Sequence, residues 1–174
     1  MNLSEEILKE HSRKQAEKIA ASIGDDEKRF AELMHLFLGN TYRVTQRAAW
    51  IVSICAERNP FLIEPYLSKM VNNLSGEVHD AVKRNTLRIF QSIELPKKLW
   101  GKTADTCFRF LMDAEEPIAV KVFAMTVAAN ICKQEPELKN ELQLVINNQL
   151  ENASAGFKSR AKRVLHQLLK PGKI

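Results

Sequence analysis

This 174-residue chain predicts an all-α fold of repeated helix pairs, on three observations. Apolar residues recur at a fixed period, with Val44, Val82 and Val120 spaced 38 apart. Within each period the apolar positions fall at 0, 4, 7, 8 and 11, the spacing of one helix face. Gly and Pro, six of each, punctuate these segments, and no Asn-Gly or Asp-Gly turn or alternating Val/Ile/Thr run argues for strands.

The period holds in many columns. Ala48, Thr86 and Ala124 share one; Ile51, Ile89 and Val127 share another; Cys55, Ile93 and Ile131 a third. In the other segment of each unit, Leu62 aligns with Trp100 and Leu138, and Met70 with Phe108 and Ile146. An offset of 37 brings in Phe157, Ala161, Val164 and Leu168.

In chain order, a helix over 4–23 is closed by Gly24, and Asp25 and Asp26 cap the next, over 26–38, which ends at Gly39. A helix over 41–57 carries Val44. Pro60, Pro96, Pro117 and Pro136 open helices over 60–74, 96–113, 116–133 and 135–150, because a missing N–H is harmless at a helix start. Segments 77–93 and 154–169 complete nine helices. A single domain spanning 1–174 is expected, with 1–25 as a cap and pairs over 26–58, 60–93, 96–133 and 135–170.

Helix pairs of this length, each stacked on its neighbours, make an α-solenoid. The second, or B, helix of each pair carries Val44-Thr-Gln-Arg47-Ala48-Ala49 and, more loosely, Val82-Lys83-Arg84. Phe123 stands in the repeat arginine's place in the third pair, and Arg160 regains it in the fourth. This pattern resembles HEAT or armadillo-type repeats over residues 26–169. The resemblance implies a right-handed α–α superhelix whose B helices line the concave surface, and such repeats bind proteins, nucleic acids or other ligands.

The net charge of +5 is unevenly spread. The B segments hold 13 Lys/Arg against 5 Asp/Glu, and the first, or A, segments hold 8 against 10. A basic B-helix face is therefore expected. One helical flank reads Thr45, Lys83, Lys121, Lys158 and the other Trp50, Arg88, Thr126, Arg163. Together with Arg43, Arg47, Arg84 and Arg160, the candidate binding residues are Trp50, Lys83, Arg88, Lys121, Lys158 and Arg163. Repeated cations with one aromatic suit a phosphate backbone, and they equally suit an acidic protein surface. Arg47 and Arg160 have a structural alternative, tying adjacent repeats together. The expected partner is a protein, with nucleic acid as the alternative and homo-oligomerisation open.

No catalytic motif is present, so a non-enzymatic module is expected, with a DNA glycosylase as the less favoured enzyme alternative by resemblance. Gly-rich phosphate loops, H-E-x-x-H, C-x-x-C and G-x-S-x-G are all missing, and His11, His35, His79 and His166 are scattered without metal-ligand spacing, so no cofactor or metal is expected. Cys55 shares an apolar column and reads as buried filler. Trp100 reads as core, and Asp113, Glu115 and Glu116 as caps for the helix beginning near Pro117. The DNA-alkylation-repair glycosylases are similar in repeat type and concave charge. That family uses aromatic residues and a catalytic Asp, whereas this chain offers only Trp50 and, as an acid well inside a B helix, Asp80, so the family's site does not map onto it. The charged start from Glu5, the lack of an ~18-residue apolar run and three widely spaced cysteines together suggest a cytoplasmic protein without a membrane span.

Overall fold

A computed structural model describes residues 2–169, and its packing divides the chain into two compact units, Met1–Ile93 and Glu94–Ile174. The first unit holds α1 (Leu3–Lys9), α2 (Arg13–Ile23), α3 (Glu27–Phe37), α4 (Tyr42–Arg58), α5 (Leu67–Leu74) and α6 (Asp80–Phe90). In the second are α7 (Trp100–Met112), α8 (Ile118–Ile131), α9 (Lys139–Asn147) and α10 (Ala155–Leu169). No strand occurs among the described residues.

Among the described residues, ten α-helices stand where nine helices were expected, because the first divides in two. Ser12 turns extended and its hydroxyl accepts the Gln15 N–H, starting α2, while the Gln15 side-chain amide donates to the Glu6 carbonyl of α1. Side-chain hydrogen bonds thus replace backbone ones across residues 10–12. Asn2 caps α1 and Asp26 caps α3, each accepting two backbone N–H groups.

The prolines behave as expected, with one refinement. Pro60–Leu62 and Glu64–Tyr66 form two successive 3₁₀ turns, so α5 begins at Leu67 rather than at Pro60, while Pro136 begins one such turn before α9 and Pro96 precedes one at Lys97–Leu99 before α7. The α6 helix also starts later than its apolar pattern suggested, because the His79 ring caps it through Nδ1, which accepts the Ala81 N–H at 3.0 Å. The glycines divide. Gly24 has a φ of +58°, a conformation that favours glycine, whereas Gly39 has no positive φ. A Cβ at Gly39 would lie 3.2 Å from the His35 carbonyl oxygen, so close approach is what selects glycine there.

Each unit is organised about one B helix. In the first, α4 packs against α1, α2, α3 and α6. Ala48 and Ala49 are fully buried and give these neighbours room to approach, and Phe30, Leu33, Met34 and Phe37 of α3 close the core on one side. In the second, α8 (IAVKVFAMTVAANI) is apolar nearly all round, which fits its position against α7, α9 and α10. Two expected core positions sit nearer the surface. Trp100 is half-buried, with its indole N–H donating to the Leu95 carbonyl at 2.8 Å, and Met112, which follows the column of Leu74, is exposed at the end of α7.

A larger side chain at the centre of the first unit has nowhere to go. Ala48→Leu is expected to destabilise the chain by about 1–3 kcal/mol, the usual cost of overpacking. A urea titration checks this, as a lowered midpoint at unchanged m-value.

Candidate functional site

The B helices α4 and α6 of the first unit and α8 and α10 of the second carry all ten candidate residues. Helical spacing decides which way each side chain faces, and neighbouring helices decide what it meets. The outcome separates them into those taken up by packing and those left to solvent.

Two arginines serve the repeat. Arg47 donates from Nη1 to the carbonyls of Ile7 and Leu8 at 3.2 and 2.8 Å, tying α4 to the end of α1. Arg160 occupies the same repeat position 113 residues later, and its Nη1 donates to the Val122 carbonyl at 3.4 Å and the Thr126 hydroxyl at 2.6 Å. Its guanidinium also lies over Phe123 at 5.6 Å, so the residue that replaces the third repeat's arginine becomes the surface on which the fourth rests. Desolvation holds the Arg160 guanidinium below its ordinary pKa, with the charge of Arg163 adding to the effect. These contacts match the structural alternative for both residues.

One further expectation is corrected. Lys121 is only 6% exposed and cannot form part of an open basic ridge. It is the one charged residue of α8, and its ammonium leaves the apolar surroundings by reaching the Gln149 amide oxygen at 3.5 Å. Trp50 is half-buried, with its ring 6.1 Å from that of His11 at a tilt of 55°. The division between α1 and α2 brings His11 there, and an uninterrupted first helix gave no hint of it. Thr45, in the same flank as Lys121, is buried too, and its hydroxyl donates toward the Leu36 and Gly39 carbonyls, both at 3.2 Å.

The remaining cations keep contact with solvent. In the first unit Arg43 and Arg84 are exposed, Lys83 is half-buried with its ammonium 3.8 Å from Asp80, and Arg88 pairs with Glu57 at 2.6 Å. Asp80 is the first residue of α6 and is exposed, not set well inside the helix, because the His79 cap fixes the start there. In the second unit Lys158, Arg163 and the adjoining Lys162 are exposed on α10, with Lys158 donating to the Glu151 carbonyl at 3.3 Å. The four-residue spacing makes Lys158 and Lys162 neighbours on one face, while Arg163 lies on the other flank of the helix. Lys162 lies outside the two flanking columns, although the absence of any acid after Glu151 singles out the whole segment.

Pro117 stands at the N-cap of α8 and offers no side-chain hydrogen bond, and Glu116 beside it is buried. Asp113 closes the preceding turn, its carboxylate accepting the Glu115 N–H at 2.9 Å. The first unit also holds an open polar depression of about 710 Å³ where Tyr42 meets His79, Oη to Nε2 at 2.9 Å, beside His35, Asn73 and Glu77. No group of three or more His, Cys, Asp or Glu side chains suited to a metal ion occurs among the described residues.

All three cysteines are buried and free. Burial pushes the Cys55 and Cys132 thiols up to about 11 and raises Cys107 as well. The folded state therefore favours the neutral thiol, and this contribution is present below the unfolded value near 9 and lost as pH rises through about 11. Ellman's reagent near neutral pH should leave the native thiols unmodified and label them once urea unfolds the chain. Arg47→Met should cost about 1.5–3 kcal/mol, the range for hydrogen bonds to a charged group, and speed amide exchange in α1 specifically.

No helix among the described residues is long and apolar enough to cross a membrane. No curated protein and no solved structure matches the chain. A family model, the HEAT repeat domain, matches residues 3–168. With the periodic helix pairs and the arginine ties between them, that match covers nearly the whole sequence, and the chain belongs to the HEAT repeat domain family.

Proposed function

We propose that this chain is a non-catalytic binding module that engages a protein partner through the exposed cations of its B helices. HEAT repeats generally mediate protein–protein interaction, which sets the class of function. The supporting observation is the set of cations that packing does not absorb. Arg43 and Arg84 in the first unit, and Lys158, Lys162 and Arg163 in the second, are exposed on the helices that the repeat leaves accessible. An acidic protein surface complements each group, with electrostatics contributing mainly to on-rate and selectivity. The cytoplasm suits three reduced, buried thiols.

Nucleic acid is the second reading, carried by α10, which exposes three cations in a segment where no acid follows Glu151. Against it stands Trp50. With its ring turned on His11, the chain's one candidate stacking aromatic is unsuited to receiving a base.

Affinity capture with the intact chain, in parallel with Lys158→Glu/Arg163→Glu and Arg43→Glu/Arg84→Glu variants, separates the two. A protein held by the wild type, resistant to nuclease and lost in either variant, supports the module. Micromolar binding of labelled single-stranded or duplex RNA or DNA that weakens steeply with salt, and disappears in the α10 variant, replaces it with the nucleic-acid reading.

A further inference from the structure

Between the C-terminal halves of α4 and α6, in the first unit, lies a cleft of about 180 Å³. Ser53, Ala56 and Glu57 of α4 face it at helical spacing, and Arg88, Ile89 and Ile93 face it from α6 and the residues just beyond. Its lining is an apolar surface with an ion pair and two serines, Ser53 and the exposed Ser92. The volume holds several waters and suits one branched aliphatic side chain with a polar group attached.

Ser53 is the unusual member. It is 0% exposed, and its hydroxyl is buried with no hydrogen-bond partner among the described residues. A mid-helix serine commonly returns its proton to the carbonyl one turn back, and Thr106 and Thr126 each do so, to Lys102 and Val122. Ser53 does not, nor does Thr103 of α7, and of these two Ser53 lines a cleft. An unpaired buried hydroxyl is a net cost to folding, and alanine would fill the same helical position without it. Such a group is accounted for when something outside the chain completes it.

Arg88 supplies charge beside this hydroxyl. It meets Glu57 through one contact, Nη2 to Oε1, while a guanidinium fork has five N–H donors and binds carboxylates in pairs. The remaining donors of the Arg88 fork can meet an incoming carboxylate while Nη2 keeps Glu57.

We propose that this cleft receives an acidic–apolar segment of a protein partner. The partner's carboxylate is held by Arg88, the neighbouring aliphatic group lies over Ala56, Ile89 and Ile93, and the Ser53 hydroxyl donates to a partner oxygen. The proposal rests on the protein-binding reading and assigns that partner its chemistry: an acid beside an aliphatic residue.

The test is a ¹H–¹⁵N NMR titration of the intact chain with three probes: isocaproate, its neutral analogue isocaproamide, and inorganic phosphate. Saturable millimolar shifts at Ser53 and the Arg88 Nε–H with isocaproate, several-fold weaker with the amide, support the site. Arg88→Gln should abolish the preference for the acid. Ser53→Ala should weaken isocaproate about fivefold, as loss of one hydrogen bond implies, while leaving the melting temperature of the free chain unchanged or higher. Equal shifts from phosphate, shifts scattered over every Lys and Arg, or no saturable shift overturn the proposal. A lowered melting temperature in Ser53→Ala does too, because the hydroxyl is then structural. Failure here leaves the charge-reversal capture result untouched, whereas isocaproate binding by an intact chain that captures no protein removes the module reading, and with it the partner assigned to the cleft.

Discussion

A helix pair cannot bury both apolar faces of its second helix unaided, and the rest of the structure follows from that shortage. The α4 helix answers it with α1, α2 and α3 on one side of its sequence and α6 on the other, and α8 answers it with α7, α9 and α10. Once a B helix is enclosed from several directions, the positions beside its core stripe are contacts with the next repeat. Polar groups placed there must find partners inside the protein. Thr45 finds the carbonyls at the end of α3, Arg47 those at the end of α1, and Arg160 the carbonyl and hydroxyl of α8.

This enclosure also selects which charges remain for recognition. A cation at a flank of α8 is absorbed, as Lys121 is, whereas the same column on α10 stays wet, as Lys158 does. Identical columns thus have different fates according to what packs around their helix.

Much of the fold was legible because repetition amplifies weak signals. One apolar spacing of 0, 4, 7, 8 and 11 is ambiguous, and four in register are not. Asp26 and the prolines marked element starts correctly, since capping and the missing proline N–H are local effects. The division between α1 and α2 was not legible, because the apolar pattern runs through it and the deciding bonds belong to Ser12 and Gln15 side chains. At the candidate site, the dual character of Arg47 and Arg160 could be stated from sequence but not resolved. The pairing of Arg88 with Glu57, the cover that His11 gives Trp50 and the unpaired hydroxyl of Ser53 had no signal at all. Each joins residues from different helices, at separations that no periodicity specifies.

The sequence by itself determined the helical class, the repeat and the excess of cations on the second helix of each pair, because all three depend on residue type and spacing along one helix. Tertiary structure decided which of those cations face solvent, which hold repeats together, and where a hydroxyl is left without a partner. Those outcomes depend on how many helices close around a given face. One helix sets the direction of its side chains, but only its neighbours set whether that direction leads to water.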